Sequence, residues 1–126
     1  MKTISFSAER VATDVETFTE TCRVYSVAFQ AGDLDADGEG WTFSRSFEDD
    51  DGVCTVREIQ RATLYDGIRE LRLSRARLTC VFEAAAAAEA GCERLEIDLQ
   101  LEERTWDIIA RMLDIVCSGK SFYHRD

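Results

Sequence analysis

The residues best suited to hold a metal ion lie at positions 33–38. Asp33, Asp35 and Asp37 alternate with other residues and end at Gly38, as in the first half of a calcium-binding EF-hand loop. The twelfth position of that loop needs a bidentate Glu, but it falls on Ser44 here, and the flanking segments read as strands. We therefore interpret the segment as a solvated acidic turn, with these three aspartates as the candidate metal ligands. A stand-alone module that binds calcium or a small ligand through this loop is the alternative function.

We find no catalytic motif in the rest of the sequence. The cysteines are odd in number and scattered: Cys22, Cys54, Cys80, Cys92 and Cys117. Neither a C-x-x-C pair nor a histidine at zinc-ligand spacing accompanies them, so we expect free thiols in a reducing cytosol. Nucleophile-elbow, phosphate-loop and Cys/His motifs are also missing. The sequence therefore predicts a protein that is not an enzyme and needs no cofactor.

The charge balance is strongly acidic. The chain carries 25 Asp and Glu against 15 Lys and Arg, a net charge of −10. Such a surface repels nucleic acid and anionic membranes, so the charge either serves solubility alone or complements a basic partner. The first residues lack the apolar core of a signal peptide. We expect a cytoplasmic location, with neither nucleic acid nor membrane as partner.

A second acidic cluster follows a strand that carries one unexpected charge. The cluster consists of Glu48, Asp49, Asp50 and Asp51. Arg45 alternates with Trp41 and Phe43 on an otherwise apolar strand face, where a charge must be paired. The cluster holds the nearest acids in sequence, so we hypothesise that Arg45 locks this turn. The turn itself is either simply solvated or part of a rim that steers a basic protein.

Arginine is concentrated in the middle of the chain. Residues 57–77 contain six arginines and no lysine: Arg57, Arg61, Arg69, Arg72, Arg75 and Arg77. The guanidinium fork suits bidentate pairing with carboxylates, so we expect these side chains to pair with the neighbouring acidic turns. A nucleic-acid patch is disfavoured because no aromatic platform interleaves with them.

Alternating apolar residues predict the elements that position these groups. Strands are expected over 4–8, 22–31, 41–47, 53–61, 67–73, 78–83 and 94–102, and helices over 83–90 and 103–117. The polar stretch 13–21 is expected to be irregular. In the clearest hairpin Leu73 should oppose Leu78, with Arg69 opposite Phe82. We predict a single α+β domain over 1–126: a mostly antiparallel, meander-like sheet of about six or seven strands, a short Ala-rich helix and a C-terminal helix packed on the sheet.

The C-terminal helix is apolar over more of its surface than one buried face requires. Ile108, Met112 and Ile115 lie beside the core stripe. Either the tail around Phe122 and Tyr123 folds back over them, or a second copy does. The latter predicts a homodimer through this helix.

Three segments together resemble a known family. Arg45-Ser46 precedes the acidic cluster, Tyr65-Asp66-Gly67-Ile68 forms a turn, and Leu73-Ser74-Arg75 opens a hairpin, with an alternating strand following at 95–102. In these motifs the chain resembles the immunity protein family numbered ten of bacterial polymorphic toxin systems, over 41–117. Asp66 departs from the family, which has Gly at that position.

The resemblance implies a function. An immunity protein stays in the cytoplasm and neutralises a cognate toxin domain by binding it, and an acidic chain suits a basic toxin. The residues that would contact the toxin are Arg45, Glu48, Asp49, Asp50, Asp51, Tyr65 and Asp66.

Overall fold

A computed structural model describes residues 2–48, 52–59 and 61–126. The described chain is α+β, as predicted, with two mostly antiparallel sheets and two helices. The strands are β1 (Thr3–Ser7), β2 (Arg10–Thr17), β3 (Arg23–Ala31), β4 (Glu39–Ser46), β5 (Cys54–Arg57), β6 (Ala62–Tyr65), β7 (Ile68–Leu73), β8 (Arg77–Phe82), β9 (Arg94–Asp98) and β10 (Tyr123–Arg125). The helices are α1 (Ala84–Ala90) and α2 (Glu103–Val116).

One sheet, here the meander sheet, has the order β2-β3-β4-β5-β6. Every neighbouring pair is antiparallel, so strands adjacent in sequence are adjacent in space. The other, the mixed sheet, has the order β1-β9-β8-β7-β10. Its three central strands are antiparallel, whereas β1 lies parallel to β9 and β10 parallel to β7. The two ends of the chain therefore form the two edges of the mixed sheet.

The core lies between the inner faces of the two sheets. On β4, Trp41 and Phe43 are fully buried, as alternation requires. The Trp41 ring stacks on Phe82 of the mixed sheet with centroids 6.0 Å apart. Helix α2 packs against β2, β3 and β4 and buries Ile109 and Leu113. The predicted packing of the C-terminal helix on a sheet is confirmed.

Ten strands are present in the described residues, against the six or seven expected. Strand β2 occupies part of the polar stretch 13–21, which we expected to be irregular. It is an edge strand, so only its inner side chains are partly buried, and the apolar signal is weak. The expected strand 53–61 ends at Arg57, and β6 follows as a separate strand.

The hairpin register was predicted correctly except at one pair. Leu73 opposes Leu78 as expected, but Phe82 pairs with Ile68 and not with Arg69. The register shifts between Ile68 and Glu70, as a β-bulge does. The shift places Ile68 in the core at 4% exposure and leaves Arg69 exposed.

The tail folds back onto the domain but does not cover the apolar stripe of α2. Tyr123 lies in β10, and its hydroxyl donates a hydrogen bond of 2.7 Å to the Asp114 carboxylate on α2. Ile108 and Ile115 remain 48% and 41% exposed, and Met112 is half-buried. The homodimer through this stripe stays a prediction.

Several of the central arginines are paired, as expected. The Arg57 guanidinium binds the Glu39 carboxylate through two contacts of 3.2 and 2.8 Å, and Arg61 reaches the same carboxylate. Arg77 binds Glu96 and Asp98. Most of these acids lie on neighbouring strands and not in the acidic turns, because the pleat aligns residues that are distant in sequence.

Candidate protein-binding surface around Tyr65

The outer faces of the two sheets differ in chemistry. The mixed sheet is covered by ion pairs, such as those of Arg77 with Glu96 and Asp98. On the meander sheet, the corresponding row across β3 to β6 runs Ser26, Ser44, Cys54 and Tyr65. These positions are small and uncharged apart from the aromatic residue at the end. Such a row costs less to desolvate than the charged rows of the mixed sheet, because it carries no formal charge.

A cleft of about 210 Å³ opens on this face and is named here the outer cleft. It is lined by Val24, Ser44, Arg45, Ser46, Gly52, Cys54 and Tyr65. The structure thus joins the two segments that the sequence pointed to separately, the one at Arg45 and the one at Tyr65. The pairing of Cys54 on β5 with Ser44 and with Tyr65 brings them together.

Tyr65 is the most exposed of the large apolar or aromatic side chains in the described residues, at 69%. On its other side lies a second hollow of about 330 Å³, named here the acidic depression. Three carboxylate residues line that hollow: Asp66, Glu83 and Glu89. They converge because α1 packs against β6. Tyr65 therefore forms a ridge between the outer cleft, which no carboxylate residue among the described ones lines, and an acidic hollow.

The turn after Tyr65 has an unusual backbone. Asp66 has φ of 70°, the only positive value of a non-glycine residue in the described chain. Glycine adopts this region freely, whereas Asp does so at some steric cost. The Asp66 N–H donates to the Val53 carbonyl at 3.1 Å, which ties this turn to the start of β5.

Gly67 completes the turn at a close approach to α1. Its φ is 89°, and a Cβ at this position would stand 2.6 Å from the Cβ of Ala86. Only glycine allows the helix to lie this near. The turn thereby fixes α1, and with it Glu83 and Glu89, beside Tyr65.

Arg45 lies beneath the surface, 7% exposed. Its Nη1 donates to the backbone carbonyls of Val116, at 3.4 Å, and of Ser118. Its guanidinium carbon is 4.3 Å from the Phe47 ring centroid. A cation at the C-terminus of a helix satisfies free carbonyls and the helix dipole. Arg45 thus positions β4 against α2, and at this burial a partner would meet little of its side chain.

Of the acidic cluster, only Glu48 can be described. Its Oε2 accepts hydrogen bonds from the Arg23 N–H at 3.3 Å and from the Ser46 hydroxyl at 3.4 Å. Asp49, Asp50 and Asp51 lie outside the described residues. Whether Arg45 also holds them therefore stays a prediction.

The thiols are free, as expected, and most are buried. Burial raises the pKa of Cys54 in the outer cleft, against a smaller lowering by the hydrogen bond with Ser44. Burial also raises the pKa of Cys117 to about 12 despite the nearby Arg45. A raised pKa keeps a thiol protonated, which makes it a poor nucleophile and a poor metal ligand at neutral pH.

The aspartates at 33–37 form a turn. The Asp33 carboxylate accepts the Asp35 N–H at 2.9 Å, and the Asp33 backbone carbonyl accepts from Ala36 and Gly38. This is the ordinary Asx-turn use of an aspartate. In the described part of the chain, no three His, Cys, Asp or Glu residues are grouped so as to hold a metal ion.

Sequence reasoning missed Glu83 and Glu89. Both flank the alanine run of α1 and read as solvated helix ends. Their spacing of six residues gives no motif, and only the packing of α1 on β6 brings them to Asp66.

Comparison with protein-family models, with curated proteins and with solved structures finds no match to this chain. The resemblance to an immunity family therefore rests on the short motifs alone. Among the described residues, every helix is too short or too polar to cross a bilayer.

Proposed function

We propose that this chain is an immunity protein that binds a cognate toxin domain in the cytoplasm and neutralises it without chemistry of its own. The observation that carries the proposal is the position of Tyr65, 69% exposed between the outer cleft and the acidic depression. An exposed tyrosine beside a cleft is a typical anchor of a protein interface, because it contributes a large contact area at a small entropic cost.

Charge supports a basic partner. Asp66, Glu83 and Glu89 surround one side of the tyrosine on a chain of net charge −10. Acidic side chains at the rim of an interface accelerate association with a basic protein and disfavour acidic competitors. A toxin that acts on nucleic acid has a basic groove, so it would meet this surface favourably.

The test is co-expression with the variable C-terminal domain of a large secreted protein encoded beside this gene. We expect a stable complex, rescue of growth, and protection that becomes complete only at equimolar amounts. Tyr65→Ala should weaken binding about thirtyfold or more. Phe18→Ala, which removes an aromatic ring of similar exposure (65%) after the strand at the opposite edge of the meander sheet, is the matched control.

Two outcomes would contradict the proposal. One is a chain that neither binds the toxin domain nor protects cells. The other is protection at amounts far below those of the toxin, because only a catalyst acts that way.

A further inference from the structure

The meander sheet has one long unpaired edge. In the described structure β2 pairs only with β3, and it is the longest of the edge strands, with 8 residues against 4, 5 and 3 for β6, β1 and β10. Short edge strands offer few free backbone groups, whereas a long regular one is a template for another strand. β2 also lacks proline and pairs with β3 in an unbroken register from Arg10 to Thr17.

The free backbone groups of this edge follow from its pairing. The Phe18 N–H donates to Cys22 at 2.9 Å, one pair beyond the end of the ladder. Hydrogen-bonded pairs alternate along an antiparallel ladder, so even-numbered residues of β2 bond to β3. The odd-numbered residues Val11, Thr13 and Val15 therefore direct their N–H and C=O groups outward.

The sequence of this edge is complementary to itself. If two copies align antiparallel about Thr13, Thr13 meets Thr13, Val11 meets the second copy's Val15, and Arg10 meets the second copy's Glu16. The odd-numbered residues then face each other, as the outward backbone groups require. These pairs are favourable: β-branched residues oppose β-branched residues, and opposite charges meet twice by symmetry. The remaining pair, Ala12 with the second copy's Asp14, opposes no like charges. An alignment centred on Asp14 instead of Thr13 would place the Asp14 carboxylates of the two copies opposite each other.

Side-chain exposure agrees with this alignment. Val15 is 45% exposed although it belongs to the inner, apolar face, where it pairs with Tyr25. Arg10 is exposed and contacts the Gln30 side chain and the Gly32 carbonyl. A guanidinium has five N–H donors, so these contacts leave donors for a carboxylate.

We propose that two copies of this chain associate through β2, antiparallel and centred on Thr13, to join their meander sheets into one continuous sheet. The occupant of the edge is a second copy, because the order Arg10, Val11, Thr13, Val15, Glu16 matches its own reverse. This inference does not depend on the toxin-binding proposal, since the Tyr65 surface lies at the opposite edge of the sheet.

The proposal can be tested by sedimentation velocity over a range of protein concentrations, with variants in which the charges at positions 10 and 16 are reversed. The unaltered chain should form a dimer. Glu16→Arg places arginines opposite each other at both ends and should raise the dimer dissociation constant about tenfold or more. The double variant Arg10→Glu with Glu16→Arg should restore the dimer, which a folding defect could not do. Glu20→Arg, the same change beyond the end of β2, is the matched control and should leave the dimer intact.

Three results would overturn the proposal. They are a monomer at every concentration, a dimer that persists in Glu16→Arg, and a dimer that only Ile108→Ser with Ile115→Ser disrupts. The last would assign association to the apolar stripe of α2.

Discussion

Arg45 on β4 caps the end of α2: its Nη1 donates to the carbonyl of Val116 at 3.4 Å across 71 residues of sequence. The same nitrogen donates to the carbonyl of Ser118 beyond the helix. A charge on an apolar strand face thus meets backbone carbonyls at the end of a helix, where intrahelical donors are lacking. Arg45 is therefore a structural link between β4 and α2, and its contact with a partner stays a prediction.

Removal of this link should destabilise the fold. Arg45→Ala leaves the carbonyls of Val116 and Ser118 without a charged donor, so we expect a loss of about 2–3 kcal/mol in the free energy of unfolding. Arg45→Lys should recover part of it, because the charge remains without the planar fork. Urea denaturation measures both. Arg104→Ala, an exposed arginine on the same helix, should change stability by less than about 0.5 kcal/mol. Equal effects of the two alanine variants would refute the role assigned to Arg45.

Because Asp66 has a positive φ, we expect this position to tolerate glycine but not a β-branched residue. Asp66→Gly relieves the steric cost of a positive φ but raises the entropy of the unfolded chain, so stability should change by less than about 0.5 kcal/mol. Asp66→Val should cost about 1–2 kcal/mol, because a branched side chain fits this region poorly. Thermal unfolding checks both. Asp35→Val, in an exposed turn without positive φ, is the control, and a similar loss there would show that the effect is not conformational.

Two side chains of the tail bind the Asp114 carboxylate on α2: the Tyr123 hydroxyl and the Arg125 guanidinium. Tyr123→Phe keeps the packing but removes the hydroxyl donor to Asp114, so we expect a loss of about 1 kcal/mol. Burial and the bond to the Asp114 carboxylate both raise the Tyr123 pKa, which keeps the hydroxyl a donor at neutral pH. Hydrogen exchange should show faster opening of β10 in this variant, while β4 exchanges as before. Unchanged protection of β10 would contradict the assignment.

The burial of Cys117 should affect two measurable properties: the reactivity of its thiol and the stability of the fold at alkaline pH. The pKa of Cys117 rises from 9.0 to about 12 on folding, so its thiol should resist alkylation at neutral pH until the protein is unfolded. The folded state holds this proton more tightly than the unfolded state. Stability is therefore retained below pH 9 and falls as pH rises toward 12. Mass spectrometry after iodoacetamide treatment tests the first expectation, and melting temperature against pH tests the second. In Cys117→Ala the melting temperature should fall less steeply as pH rises toward 12. An equally steep fall would show that ionisation of Cys117 is not its cause.

The sequence by itself determined the α+β class, the meander and most of one hairpin register. These depend on local alternation: Leu71, Leu73, Leu78 and Cys80 can all be buried in only one pairing. It also indicated Tyr65 as a site residue, through a motif. It did not predict β2, β6 and β10, whose edge positions leave little apolar signal, nor the bulge at Ile68.

Only the tertiary structure decided what surrounds Tyr65 and what Arg45 binds. Glu83 and Glu89 reach the acidic depression because α1 packs on β6, and the carbonyl of Val116 reaches Arg45 because α2 packs on the meander sheet. These contacts join residues that are distant in sequence, and no local spacing encodes them. These contacts form because the helices bury their apolar faces. The apolar periodicity of a segment shows that it has such a face, but not which element will cover it.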